Sequence, residues 1–327
     1  MKILVTGGLG AVGTFLVEEL RRRQHEVWFC DRSHHHDPQY LRCDVAEYRQ
    51  LERIFDRHCF DYVYHLAAEF GRWNGEDFYE TLWRSNVIGT KNLIRLQEKH
   101  RFRMVFFSSS EVYGDWDGVM KEEVMDSHEI RQLNDYAMTK WVGEMQVMNS
   151  AAMFGTESVR IRLFNVFGPG EKYSNYRSVN CLFCYRALHD IPYIVYLNHH
   201  RTSAYVTDAA FTLANIVDNF VPGEVYNVGS TEYHDMRTLS DIILKYLGKD
   251  DRLVAYAEGE PFTTRDKKVD VSKAVRDLKH SPKVPLVEGL ALTLEWMKKY
   301  YTSGLEATPA EGVVHTPERT KYVQKVV

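Results

Sequence analysis

Residues 2–13 read KILVTGGLGAVG, a short apolar run followed at once by glycines at positions 7, 10 and 13. The run has the branched residues of a buried β-strand, and the next apolar side chains, from Val12 to Leu20, recur at helical spacing. Between a strand and a helix, such glycines let backbone N–H groups and the helix N-terminus approach a pyrophosphate. The stretch therefore predicts a dinucleotide-binding turn in an α/β fold.

An acidic residue follows the second predicted strand. Asp31 lies 18 residues beyond Gly13, at the end of the run over 26–30. A carboxylate there accepts hydrogen bonds from ribose hydroxyls and repels the additional phosphate of NADP, so it favours NAD. The neighbouring Arg32 is an opposing signal, because a guanidinium favours a phosphate. NAD is the predicted cofactor.

Strand-like and helical stretches alternate over the first two-thirds of the chain, which predicts a Rossmann-type, doubly wound parallel sheet with helices on both faces. After about Gly168, tyrosine, histidine and arginine become denser, which indicates a smaller C-terminal α/β segment that binds the substrate. We expect the Rossmann domain over 1–168, with later strands and helices contributing, the substrate-binding segment over 169–302 and a tail over 303–327. The predicted strands are 2–6, 26–30, 61–66, 103–107, 158–164, 193–197 and 225–228. The predicted helices are 12–20, 47–58, 77–99, 134–154, 235–247 and 287–300.

The composition excludes several classes of protein. The chain has 327 residues, of which 44% are hydrophobic and 26% charged, as in globular proteins. Its net charge of −4 lacks the basic excess of a nucleic-acid-binding protein. No apolar run is long enough to span a membrane, and the early Gly7 interrupts any signal peptide. Five cysteines, an odd number in a long chain, favour reduced thiols and a cytoplasmic location.

Further motifs follow the glycine loop in order along the chain. They are CDV at 43–45, HLAA at 65–68, Asn86 within SNVIGT, SSSEVYG at 108–114, YAMTK at 136–140 and RLFNVFGP at 162–169. Together these motifs resemble the extended short-chain dehydrogenase/reductase family, in its NAD-dependent nucleotide-sugar epimerase/dehydratase branch. The resemblance covers residues 1–300. It implies an enzyme that works through a 4-keto sugar, with NAD bound, as a homodimer formed by the helices at 77–99 and 134–154.

Tyr136 and Lys140 are four residues apart on a predicted helix and therefore share one face. A lysine ammonium near a phenol favours the phenolate, which could act as a general base on a sugar hydroxyl. A plain surface tyrosine and lysine is the alternative interpretation. The resemblance implies that Ser109 shares the hydrogen bond to the same substrate oxygen. An intact set of these three residues argues against a non-catalytic NAD-binding sensor.

The resemblance also implies which residues contact the cofactor. Asp44 is expected at the adenine, Ala67 and Ala68 along the cofactor channel, and Phe164 near the nicotinamide ribose. The other expected cofactor contacts are Gly7, Gly10, Ala11, Val12, Gly13, Asp31, Arg32, Val45, Leu66, Asn86 and Ser108, together with Tyr136 and Lys140.

Glu111 is the residue most informative about the reaction. Members of the family that carry an acid at this position include sugar-nucleotide 4,6-dehydratases and glucuronate decarboxylases, whereas simple 4-epimerases usually lack it. A desolvated glutamate could take a proton from carbon 5 in dehydration or return one after decarboxylation. It could also merely order its loop. Ser110 before it resembles the Ser-Glu pair of decarboxylases and GDP-mannose-type dehydratases. The predicted reaction is therefore 4,6-dehydration or UDP-glucuronate decarboxylation, with 4-epimerisation as the alternative.

The substrate contacts are predicted from the same resemblance and from charge. Arg201 is expected to clamp the nucleotide diphosphate, because guanidinium forks fit phosphate oxygens. Arg265 is a possible second clamp, Ser110 is expected to contact the substrate, and Asn165 is expected to contact the sugar or its diphosphate. Arg72 could bind a uronate carboxylate or only cover the rim of the site.

Two cysteines at metal-ligand spacing, Cys181 and Cys184, have no second pair after them and lie in an apolar helical pattern. We interpret them as core residues, and we predict no metal site. The three histidines at 34–36 follow the Asp31 strand and are interpreted as a solvated loop.

Overall fold

The computed structural model describes residues 1–302, so the predicted tail over 303–327 lies outside the described residues. The strands are β1 (Lys2–Thr6), β2 (Glu26–Asp31), β3 (Tyr40–Arg42), β4 (Tyr62–His65), β5 (Arg103–Ser109), β6 (Ser158–Leu163), β7 (Tyr193–Tyr196), β8 (His200–Thr202), β9 (Val225–Val228), β10 (Tyr233–Asp235) and β11 (Val254–Ala257). The helices are α1 (Ala11–Arg22), α2 (Tyr48–Phe55), α3 (Arg72–Asp77), α4 (Tyr79–Trp83), α5 (Gly89–His100), α6 (Val124–Ser127), α7 (Asp135–Phe154), α8 (Val179–Leu188), α9 (Val206–Ala214), α10 (Met236–Leu247), α11 (Ser272–Leu278) and α12 (Leu286–Thr302).

Seven strands form one sheet in the order β3-β2-β1-β4-β5-β6-β9, and all its neighbouring pairs are parallel. The strand order reverses between β1 and β4, which opens a crevice at the carboxyl ends of the strands where ligands of such sheets bind. The predicted doubly wound α/β fold is confirmed. Two small sheets, antiparallel β10-β8 and parallel β11-β7, lie outside the main sheet.

The sheet is buried on both faces, as expected for parallel strands. On one face, Ile3 and Val5 of β1 pack with Leu16 of α1 and Leu213 of α9. On the other face, Leu4 of β1 belongs to a second core cluster with residues of α2, α5 and α7. A third cluster joins α8, α10 and α12. Strand β9 belongs to the seven-stranded sheet and α9 packs on it, although both follow residue 168.

The predicted helix over 77–99 is divided. It contains α4, a π-helical turn over Arg84–Ile88, and α5, while α3 precedes it. A π turn accommodates one extra residue in the helix and changes which side chains face inward. The turn thereby buries Asn86, which an unbroken helical pattern does not predict. Prediction also missed β3, β8, β10 and β11, which are only three or four residues long.

Cys181 and Cys184 lie buried in α8, and burial raises the pKa of both thiols, so their interpretation as core residues stands. Within residues 1–302, no three potential metal-ligating side chains come together. No helix in the same range has the length and apolar character needed to cross a membrane.

Candidate active site

A cavity of about 960 Å³ lies at the carboxyl ends of the strands, between the main sheet and the segment formed by α8 and β7. We divide it into two halves. The glycine-loop half comprises residues 7, 9–13, 31–32, 43–45 and 66–68. The charged half comprises Arg72, Glu111, Arg201, Glu260 and Lys267. All predicted site residues line the cavity except Asn86, Phe164 and Arg265.

The glycine loop packs so tightly against its own backbone and that of Ala67 that side chains at Gly7 and Gly13 would collide. Gly7 has a φ of +71°, and a Cβ atom on it would lie 2.7 Å from the backbone nitrogen of Ala67. A Cβ on Gly13 would lie 2.2 Å from the carbonyl oxygen of Gly7. Helix α1 then begins after Gly10, which caps it with no side chain. The first N–H groups of α1 are therefore left for an anion such as a pyrophosphate.

The two residues at the end of β2 resolve the opposing signals seen in the sequence. The Asp31 carboxylate accepts hydrogen bonds from the backbone nitrogens of Leu9, at 3.2 Å, and Arg32, at 2.7 Å. These bonds hold it at the cavity wall, where it can accept ribose hydroxyls. The Arg32 guanidinium donates to the Glu69 carboxylate at 2.7 Å, so its charge is already paired. This arrangement fits NAD better than NADP, as predicted.

Two residues predicted to contact the cofactor lie behind the cavity wall. Asn86 exchanges hydrogen bonds with the backbone of Glu69, accepting from its nitrogen at 2.8 Å and donating to its oxygen at 3.0 Å. It positions the partner of Arg32 instead of touching the cavity. Phe164 is fully buried, with its ring 5.9 Å from that of Tyr113. The direct contacts predicted for Asn86 and Phe164 are corrected accordingly.

Ser109, Tyr136 and Lys140 come together at the junction of the two halves. Ser109 ends β5, and Tyr136 lies in the first turn of α7, whose N-cap Asn134 accepts from the backbone nitrogen of Ala137 at 2.8 Å. The Ser109 hydroxyl is hydrogen-bonded to the Tyr136 phenol. Lys140, one turn later, donates from Nζ to the Phe107 carbonyl at 2.9 Å. The predicted grouping of these three residues is therefore present.

The protonation of this group differs from the sequence expectation. Burial raises the pKa of Tyr136 to about 12, and the Ser109 hydrogen bond opposes that rise. Burial also lowers the pKa of Lys140 to about 8. The lysine ammonium lies 5.9 Å from the centre of the Tyr136 ring and bonds a backbone carbonyl, so it does not hold the phenol in its ionised form. The expected lowering of the phenol pKa by Lys140 is thus not seen.

A buried ion pair supports this group from behind. Glu144, one turn beyond Lys140, is fully buried and accepts two bonds from the Arg162 guanidinium, each at 2.9 Å. It also accepts from the Ser108 hydroxyl at 2.5 Å. Because a buried charge needs a full set of partners, this network ties the end of β5 to α7. Ser108 lines the cavity, but its hydroxyl already serves this network.

The charged half is organised around Glu111. Its carboxylate forms an ion pair with the ammonium of Lys267, while Asn134 lies at hydrogen-bonding distance, 3.4 Å. Burial alone would raise the pKa of Glu111, but the charges of Lys267 and Arg72 outweigh burial and lower it to about 2. Burial lowers the pKa of Lys267 to about 8, and the neighbouring Glu111 opposes that change. At neutral pH the pair is a carboxylate and an ammonium.

Arg201, the residue predicted to bind the diphosphate, is buried beside this pair. Its guanidinium donates to the backbone oxygens of His200 and Arg265, at 2.8 and 2.7 Å, and to the Thr263 hydroxyl at 3.2 Å. Arg265 contributes only that carbonyl, and its side chain is exposed outside the cavity. The Arg265 side chain is therefore not placed as the predicted second clamp.

Arg72 forms an ion pair with Glu260, which joins two segments above Glu111. The rings of Trp73 and Phe262, one from each segment, meet edge to face at 5.8 Å. Sequence reasoning found Arg72 but missed Glu260 and Lys267. Their partners lie 188 and 156 residues away, so no local spacing could have revealed them.

Comparisons with known proteins agree with this geometry. The sequence profile of the NAD-dependent epimerase/dehydratase family matches residues 3–229. A UDP-N-acetyl-α-D-glucosaminuronate decarboxylase of Bacillus cytotoxicus is 27% identical over 321 residues, covering 91% of this chain and 98% of that protein. UDP-glucuronic acid decarboxylase 6 of Arabidopsis thaliana is 30% identical over 319 residues, covering 90% of this chain and 88% of that protein. The crystal structure of Thermus thermophilus UDP-glucose 4-epimerase with NAD is similar at a TM-score of 0.82 and 25% identity, covering 91% of this chain and 99% of that one.

Proposed function

This chain belongs to the NAD-dependent epimerase/dehydratase family, and we propose that it is a lyase that decarboxylates a UDP-linked uronic acid. Nucleotide-sugar decarboxylases among its relatives support the reaction class. The observation that carries the proposal is the ion pair of Glu111 with Lys267, placed beside Ser109 and next to the charges of Arg72 and Arg201.

The protonation of Glu111 favours decarboxylation over dehydration. Dehydration needs a base that removes the proton from carbon 5, and a carboxylate with a pKa of about 2 in an ion pair is a weak base. Decarboxylation needs no such base, because the loss of carbon dioxide itself leaves the electron pair on carbon 5. The cationic surroundings of Glu111 also suit a substrate that carries a carboxylate beside its diphosphate.

The reaction starts at the hydroxyl on carbon 4 of the sugar. A bound NAD would supply the redox chemistry at this carbon, as acceptor of its hydride and later as donor of the same hydride. The positive charge of a bound nicotinamide would lower the raised pKa of Tyr136, so that its phenolate can remove the hydroxyl proton, and Ser109 holds the same oxygen by a hydrogen bond. Glycines 7, 10 and 13, with Asp31, would hold the cofactor so that this chemistry takes place beside Tyr136.

The new ketone makes the sugar a β-keto acid. The bond between carbons 5 and 6 breaks, carbon dioxide leaves, and the electron pair moves through carbon 5 to the carbon 4 oxygen. Carbon 5 must then receive a proton. We assign this step to the Lys267 ammonium, whose pKa of about 8 leaves it protonated at neutral pH but a usable acid. Glu111 keeps the ammonium in place.

A 4-epimerase is the second candidate, supported by the similarity to the Thermus thermophilus epimerase. Epimerisation needs only Ser109, Tyr136, Lys140 and a sugar that turns over in the site. It gives no role to the Glu111–Lys267 pair. Its product has the same mass as its substrate, which separates it from decarboxylation in one measurement.

The test is mass spectrometry of products from UDP-glucuronate, UDP-N-acetylglucosaminuronate and UDP-glucose, with NAD present. Loss of carbon dioxide from either uronate is expected. Loss of water would indicate a dehydratase instead, and an isomer of unchanged mass would indicate an epimerase. The Tyr136→Phe holoenzyme, assayed in parallel, controls for carbon dioxide released without catalysis by this site.

We further propose a cytoplasmic homodimer formed through α5 and α7. Met138, Met145 and Met153 are exposed on α7 at spacings of seven and eight residues, which places them along one stripe of the helix. Sedimentation of the wild type and of Met145→Lys tests this, with Val287→Lys on α12 as the matched exposed control. We expect a dimer that only the α7 variant dissociates, and a monomeric wild type would contradict it.

A further inference from the structure

Two buried N–H groups, one in the charged half and one on a residue bonded to it, have no hydrogen-bond partner within residues 1–302. One is Nη1 of Arg72, and the other is Nδ1 of His199. Both residues line the cavity. An unpartnered buried donor costs free energy, and such groups usually mark a place where another molecule supplies the acceptor.

Glu260 connects the two donors. Its carboxylate is ion-paired with Nη2 of Arg72, and its backbone nitrogen donates to Nε2 of His199 at 3.2 Å. Because Nε2 accepts this bond, the ring proton of the neutral His199 lies on Nδ1. His199 is only 1% exposed, and burial, followed by the charge of Arg201, lowers its pKa to about 4. His199 is therefore a fixed neutral donor, and Arg72 is a fixed cationic one.

Arg72 lies near the residues to which the proposed chemistry is assigned. Three residues after it in α3, Gly75 packs against α7 so closely that a Cβ atom would lie 3.3 Å from the backbone nitrogen of Tyr136. The charge of Arg72 is also among the main causes of the low pKa of Glu111. Arg72 is thus near both the residue that acts on carbon 4 and the pair assigned to carbon 5.

We propose that Arg72 Nη1 and His199 Nδ1 form a binding site for the carbon 6 carboxylate of the substrate, with Glu260 as the residue that positions both donors. The inference rests on the proposed function and deepens it by naming the residues that distinguish a uronate from a neutral hexose. Two N–H donors, one of them charged, match the two oxygens of a carboxylate. Glu260 neutralises the other side of the guanidinium, which limits the attraction to groups that reach Nη1.

The group that accepts hydrogen bonds from these two donors could be the diphosphate instead of the sugar carboxylate. The two sources differ in which ligands feel a substitution. Removal of a carboxylate site weakens UDP-glucuronate alone, whereas removal of a diphosphate site weakens UDP-glucuronate, UDP-glucose and UDP equally. Comparison of these three ligands therefore distinguishes the sources.

The experiment measures the dissociation constants of the three ligands by calorimetry, with NAD-loaded protein in a Tyr136→Phe background that prevents turnover. His199→Gln keeps an acceptor near the position of Nε2 and loses the Nδ1 donor. His199→Asn is its matched control, because its amide keeps a donor near the position of Nδ1. Arg72→Gln removes the charge and the fork. Circular dichroism confirms that each variant is folded.

We expect His199→Gln and Arg72→Gln each to weaken UDP-glucuronate tenfold or more, to leave UDP-glucose and UDP within twofold, and His199→Asn to keep most of the affinity. Equal losses for all three ligands, or no loss for UDP-glucuronate, would overturn the carboxylate site. If His199→Gln is unfolded, the same three dissociation constants are measured for Arg72→Lys, which keeps the charge but lacks the fork of N–H donors. Uronate-selective losses without carbon dioxide release by the wild type would refute the proposed function alone. Release without such losses would refute this inference alone.

Discussion

The two halves of the cavity bind by different means. The glycine-loop half presents backbone N–H groups, mostly small side chains and the two carboxylates of Asp31 and Asp44, all within the first 68 residues. The charged half presents long ionised side chains from segments that are far apart in the sequence. In the first half, shape and main-chain polarity select the ligand, whereas in the second half the balance of charges does. Substitutions should therefore fail for different reasons in the two halves.

The largest effect is expected where the halves meet. Tyr136→Phe removes the group that takes the proton from the carbon 4 hydroxyl, so turnover should fall by about 10³-fold or more. NAD should stay bound, because the glycine loop is intact. Turnover and cofactor content of the purified protein check this, with Tyr246→Phe on the surface of α10 as the control. A Tyr136→Phe protein with normal turnover would refute the catalytic role.

Gly13→Ala tests the shape of the glycine-loop half. The new Cβ would lie 2.2 Å from the Gly7 carbonyl oxygen, so the turn must move, and NAD affinity should fall by about 100-fold or more. Titration of the apoprotein with NAD measures the change. Gly259→Ala is the matched control, because nothing lies within 4 Å of its Cβ and the affinity for NAD should not change.

The proposed proton donor, Lys267, should make the chemistry of the charged half depend on pH, unlike cofactor binding in the glycine-loop half. Lys267 has a pKa of about 8 in the folded protein, so its acid form disappears as the pH rises through that value. Decarboxylation should fall about tenfold for each pH unit above 8. Lys267→Arg keeps a positive charge beside Glu111 throughout this pH range, so the fall in activity should shift to higher pH. An unchanged limb in the pH profile of kcat would instead assign it to Lys140.

The smallest effect is expected at Arg32. Glu69→Gln removes the carboxylate that pairs with its guanidinium, which frees the charge for the additional phosphate of NADP. The affinity for NADP should rise by about threefold to tenfold, while that for NAD should change by less than about twofold, since exposed ion pairs contribute little. Fluorescence titration with both reduced cofactors measures the two constants. A gain for NAD alone would contradict the pairing argument.

The same contrast explains what the sequence could predict. Gly13 and Asp31 are 18 residues apart in one strand–loop–helix–strand unit, so their spacing carries their geometry. Tyr136 and Lys140 share a helix face for the same local reason. Lys267 and Glu260 have no such neighbour in sequence, and Arg265, two residues before Lys267, was chosen in their place. The example of Arg265 shows that the charge of a residue does not predict whether its side chain faces a cavity, unless its position in a regular element is also known.

Asn86 shows a second limit of prediction. The motif around it led us to expect a cofactor contact, but the π-helical turn over Arg84–Ile88 faces it towards Glu69. Tertiary contacts stabilise this turn, such as the hydrogen bond that the Asn86 amide donates to the Thr139 hydroxyl of α7 at 3.0 Å. A propensity scale or a helical period cannot express such contacts.

The long sequence separation between partners in the charged half also determines the order in which the site is made. Ribosomes release a chain from its N-terminus, and segments that contact near neighbours can fold first. The glycine-loop half is complete in sequence by residue 68, whereas the Glu111–Lys267 pair must wait until 156 further residues have been added after Glu111. Contacts that close such long loops form late because of their entropic cost. During its synthesis, this protein can therefore acquire its cofactor turn well before the pair that would direct the chemistry at carbon 5.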